Sequence, residues 1–161
     1  MPTATQALAN RTGPSRGKWI AVTLVLAILA FLASPNGPLG GFWPPSPDFP
    51  QPTPGQLPLF ILLNVTEALA FGFGIAFLLF GYPLVQTIWP APRGLTRAAH
   101  LSLAWLLFSW WPHDSLHIAN GTNMSGLLAI EYGFHVTVMV AGVILVSMFL
   151  LVPGRQASPL T

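Results

Sequence analysis

The sequence predicts an all-α integral membrane protein, a four-helix transmembrane bundle with both termini cytoplasmic. Three observations predict it. Only 6% of the 161 residues are charged and 53% are hydrophobic, whereas a soluble domain carries roughly a quarter charged residues. The apolar residues gather in four long runs. All six Lys and Arg residues fall on one side of a chain folded through those four runs.

The first run, 19–34, follows Arg11, Arg16 and Lys18. As a helix it is about 24 Å long, slightly short for a ~30 Å hydrocarbon core, which a snorkelling Lys18 offsets. A signal peptide cut near Ala33 or Ser34 is the alternative reading of this segment, and it leaves three spans in the same orientation. The second run is 57–82. The third starts near Arg97 and is expected to continue as a helix to Ala119, kinked at Pro112. The fourth is 126–152. Arg93 and Arg97 lie between runs two and three, and Arg155 follows run four. The connections 35–56 and 120–125 contain no Lys or Arg. The positive-inside rule therefore makes the basic side cytoplasmic, and the predicted location is the bacterial plasma membrane.

The membrane domain is thus 18–152, with disordered tails expected at 1–17 and 153–161. Nine prolines fall between residues 35 and 58. At that density neither a helix nor a central strand forms, so an extended, partly polyproline connector is expected outside the membrane.

Cysteine is absent, which excludes disulfides, thiolate metal sites and cysteine nucleophiles. The basic residues form no patch with interleaved aromatics, so no nucleic-acid partner is indicated. There is no P-loop, G-x-S-x-G or GxGxxG motif, hence no case for nucleotide binding or a serine hydrolase.

The ionisable residues carry the functional signal. The chain has four acidic residues and four histidines. All but Asp48 fall in or beside the apolar runs, where an ionisable group costs several kcal/mol (~3) and marks a functional site by default. His113 and His117 are four apart and share a helix face. Glu131 and His135 are also four apart, and Asn64 and Glu67 three apart. Counting inward at 1.5 Å per residue places Asn64, Glu67, His113, Glu131 and His135 roughly 8–15 Å below the side opposite the basic residues, with His117 and Asp114 just above them.

We expect Glu67, His113, His117, Glu131 and His135 to ligate a transition metal, with Asn64, Asp114 and Tyr132 behind them as hydrogen-bonding partners. Imidazoles with carboxylates suit iron, copper or zinc, and paired ligands on facing helices are how helical bundles hold metals. Haem held by His113 and His135 fits less well beside so many carboxylates. The metal would serve oxidative chemistry on a lipid-soluble substrate, or the chain would be one subunit of a membrane metalloenzyme. Two other readings use the same residues. One is a proton-relay or transport component without metal. The other is an accessory subunit whose polar cluster only packs helices. Besides the bilayer, the expected partners are further copies of the chain or a larger membrane complex. His100 points almost opposite His113 by helical phase and is expected at the interface.

Overall fold

A computed structural model describes residues 15–89 and 91–151. Residues 1–14 of the tail expected at 1–17, and the whole tail expected at 153–161, with Arg11 and Arg155, lie outside the described residues. Regular structure is helical throughout the described chain. In chain order the helices are α1 (Arg16–Ala33), α2 (Leu57–Phe80), α3 (Tyr82–Ile88), α4 (Arg93–Phe108), α5 (Trp110–Asn120), α6 (Met124–Ile130), a π-helical segment (Glu131–Val136) and α7 (Thr137–Leu151). A short 3₁₀ turn, Gly40–Phe42, interrupts the first connection.

Three helical segments are long and apolar enough to cross a membrane: Arg16–Ala33, Leu57–Phe80 and Met124–Leu150, of 18, 24 and 27 residues. At 1.5 Å per residue they measure about 27, 36 and 40 Å. α1 begins at Arg16, so two residues assigned to the disordered tail are helical. α2 stops at Phe80 because the chain turns at Gly81 into the short α3. The last long helix starts two residues early, at Met124. The Asn123 side chain there accepts hydrogen bonds from the Ser125 and Gly126 N–H groups, supplying the N-cap that an apolar run lacks.

The third apolar run is divided into α4 and α5 at Ser109. Pro112 has no N–H to give the Phe108 carbonyl, and its ring crowds that same carbonyl. The bonds on either side persist: Ser109 N–H to Trp105 O at 3.0 Å and His113 N–H to Ser109 O at 3.1 Å. The segment bends without unwinding.

The helices pack side by side as an open row. α1 lies on α2, α2 on α4 and α5, and α4 on α7, while α1 and α7 share no substantial contact. Two glycines of α2 explain the row. A Cβ built on Gly72 would collide with the backbone of Thr23 and Ala27 in α1. One built on Gly74 would collide with Phe108 and Leu107 of the α4 end. Residues two apart lie about 200° apart around a helix. Closest approach to one neighbour therefore falls opposite closest approach to the other.

Trp19 of α1 packs on Phe77 and Phe80 of α2, which places Arg16, Lys18, Arg93 and Arg97 at one end of the row. His100 belongs to that half too. It is buried among the helices: it is 6% exposed, its Nε2 is 2.9 Å from the Phe77 carbonyl, and its ring contacts Phe77 and Tyr82. A hydrogen-bonding side chain inside the row finds a carbonyl on the next helix, and helical phase alone could not reveal that neighbour. His100→Ala is expected to lower unfolding stability by about 1 kcal/mol for the hydrogen bond alone. It should leave metal content unchanged, as elemental analysis of purified protein would show.

At the opposite end the proline-rich connection is folded back, not extended. Leu39 N–H bonds Leu32 O, Trp43 Nε1–H bonds Ala33 O at 2.6 Å, and Ser46 N–H bonds Ile118 O at 2.9 Å. Proline cannot enter a helix interior, but it leaves its neighbours' N–H groups available for such ties. Gly121, at φ 59°, lies against Ser46 and makes the reversal from α5 into α6, a backbone conformation that favours glycine.

Candidate metal centre

His113 stands on α5 one residue after the proline, on its buried face; it is 8% exposed. His117 follows one helical turn later. His135 comes from the π-helical segment across the seam. His113 Nε2 lies 3.0 Å from His135 Nε2 and 3.1 Å from His117 Nε2. The three imidazoles can each offer a nitrogen with all three atoms within 4.8 Å of one another. Tetrahedral ligation at ~2.05 Å separates nitrogens by about 3.3 Å, a few tenths of an ångström more than the two close pairs here.

The far nitrogens show what the near ones present. His113 Nδ1 meets Asp114 Oδ1 at 2.7 Å, and His135 Nδ1 meets Glu131 Oε2. An ionised carboxylate only accepts, so each Nδ1 carries the proton. In a neutral ring Nε2 is then a bare lone pair. Two such lone pairs facing each other at 3.0 Å repel unless a cation, a proton or a metal ion, lies between them. Carboxylate–histidine–metal triads have this arrangement, with the carboxylate fixing tautomer and ring orientation.

No protein-family model, curated protein or solved structure matches the chain.

Of the five residues expected to ligate, the three histidines converge and the two glutamates stand elsewhere. Glu131 is on the far side of the His135 ring, and its side chain is 52% exposed. Glu67 interacts with the Asp114 carboxyl, one carboxyl further out. Each glutamate stands one group beyond the imidazole nitrogens, Glu131 behind the His135 ring and Glu67 beside Asp114. Among the three residues expected behind the ligands, Asp114 bonds His113. Asn64 instead takes the Ser34 hydroxyl at 2.8 Å, and Ser34 Oγ also receives the Trp111 indole N–H at 3.2 Å. Tyr132 is 71% exposed and faces outward.

The π-helical segment itself was not foreseen. Its Thr137 hydroxyl donates back to the carbonyls of Gly133 and Phe134, at 2.7 and 3.0 Å, satisfying carbonyls in the widened turn. Single π turns inside α-helices occur often at functional sites, and here the turn carries both Glu131 and His135. Phe134, between them, packs edge-on against the His113 ring and stacks on Trp105 of α4. Ser34 was also missed, since a serine at the end of an apolar run carries no signal of its own.

Asp114→Asn and Glu131→Gln should each weaken metal binding by about 10–100-fold without abolishing it. Metal titration against a competing chelator reads the loss. Equal affinity in wild type and both variants would show that these carboxylates do not support the site.

Proposed function

We propose that this chain is a four-span membrane protein holding a first-row transition metal at His113, His117 and His135. One observation carries the reading. His113 and His135 face each other through Nε2 while the Nδ1–H of each donates to a carboxylate. That is a ready-made cation site, and imidazole favours zinc, copper or iron. Three imidazoles leave a fourth position open, as in catalytic zinc sites. A bound ion there would supply a Lewis acid or a redox centre near one membrane face.

Two observations support four spans. The continuous bonding through Ser109 lets α4 and α5 cross as one element from Arg93 to Asn120. The described basic residues of α1 and α4 share one end, which the positive-inside rule places in the cytoplasm. The chemistry we favour is oxidation of a lipid-soluble substrate, by this chain or by a complex in which it is the metal-bearing subunit.

The test is the metal content of detergent-purified protein, with an optical spectrum of the same sample. Stoichiometric iron, copper or zinc is the expected result, and the spectrum chooses among them. A Soret band would transfer the histidines to haem. No metal after reconstitution with each ion would overturn the proposal. A proton-relay reading would then stand, favoured by the hydrogen-bonded succession Asp114, His113, His135, Glu131, with Glu67 beside Asp114.

A further inference from the structure

A cavity of about 280 Å³ lies between the first turns of α2, the folded-back connection and α5. It is just under the roughly 300–1,000 Å³ of small-molecule sites. Its two ends differ in character. Phe60 and Ile61 of α2, with Phe49 and Pro52 of the connection, make an apolar mouth. Phe60 and Ile61 are exposed large apolar side chains, so the mouth opens sideways, where lipid would lie. The inner end is made by Glu67, Asp114 and His117. No Lys or Arg lines the cavity, so its inner end sets two carboxyl groups against no fixed cation.

We propose that this cavity binds a small single-chain amphiphile whose head group donates hydrogen bonds, a hydroxyl or an ammonium. The head sits against Glu67 and Asp114, and the tail lies along Phe60 and Ile61. A carboxylate head is disfavoured, because it would face two acidic side chains with no Lys or Arg to pair it. His117 is a wall of both the cavity and the histidine group, and its Nε2 is 3.1 Å from that of His113. The head group therefore rests beside the metal position. As an assignment of substrate class this rests on the metal reading above, whereas as a binding site it does not need the metal.

The experiment uses the full chain in detergent, prepared with and without metal, and photolabelled with a diazirine-bearing octanol. Labelled peptides are mapped by mass spectrometry. Label is expected in segments 49–61 and 114–118 in both preparations. Excess 1-octanol or octylamine should suppress it about tenfold and octanoate should not. Competition by the alcohol alone selects a hydroxyl head, and by the amine alone an ammonium head. Ile61→Trp and, separately, Leu57→Trp fill the mouth from outward-facing positions that tolerate bulk, and each should reduce the label to background. Label spread over the outward faces of α7, competition by octanoate equal to that by octanol, or undiminished label in both tryptophan variants would overturn the proposal. Specific label in a protein that binds no metal would sink the metal reading and leave the cavity standing. Scattered label in a protein that binds metal would do the reverse.

Discussion

His113→Ala should reduce bound metal from a stoichiometric level to background, a larger loss than any other single substitution at the site. His113 is the only histidine whose Nε2 lies within 3.1 Å of both other Nε2 atoms. Removing it deletes a ligand and the keystone of the group. The remaining pair, His117 and His135, have ring centroids 6.5 Å apart, with no third ring between them. The variant also strands Asp114, whose partner at 2.7 Å is the lost ring. His117→Ala and His135→Ala should each leave weak binding through the other two rings. Acid should imitate the substitution. A metal ligand must present an unprotonated nitrogen, so affinity falls as the pH is lowered and protons compete for Nε2. Metal retained at stoichiometric level by His113→Ala would place the ion elsewhere.

Gly72→Ala and Gly74→Ala should each destabilise the fold by about 1–3 kcal/mol, the usual cost of forcing a methyl group into a packed contact. In lipid there is little hydrophobic drive between helices, so association depends on close packing at small residues. Gly72 meets the backbone of Thr23 and Ala27, and Gly74 the backbone of Phe108. Backbone atoms cannot rotate aside as a flexible side chain can, so the helices must separate. Gly133→Ala and Gly142→Ala are the controls: nothing lies within 4 Å of a Cβ at either position. Alanine there should be neutral or stabilising by up to about 1 kcal/mol, through loss of glycine's freedom in the unfolded chain. Reversible unfolding in mixed micelles would separate the pairs. Equal stability of all four variants would mean that the row is not held together at Gly72 and Gly74.

The helical character and the place of the histidines were legible because they depend on local sequence. An apolar run long enough to span, a proline that breaks one helix, and histidines four apart on one face need no knowledge of neighbours. Glu67 and Glu131 show where that legibility ended. Counting residues gives depth along a helix axis, and both glutamates share the layer of the histidines. Rotation about the axis is decided by which neighbour a helix meets and how closely. Rotation turned Glu131 behind the His135 ring and Glu67 toward Asp114. His100 makes the same point from the other side. Its phase, opposite to that of His113, was read from sequence, but the Phe77 carbonyl that receives it belongs to another helix. The proline-rich connection was read as extended because proline forbids helix. Its bonds to Ala33 and Ile118 depend on helix ends brought together from distant parts of the chain.

The sequence by itself determined the all-helical class, the long apolar segments, the segregation of basic residues and the set of residues from which a site could be built. Hydropathy, charge and helical period act within a few residues, so they survive in a one-dimensional reading. Only the tertiary structure decided that the helices form an open row, that three imidazoles meet through Nε2, and that the folded-back connection walls a cavity beside them. Those outcomes turn on contacts of a few ångströms between segments tens of residues apart, set by two glycines on opposite faces of α2 and by a widened turn at Glu131–Val136.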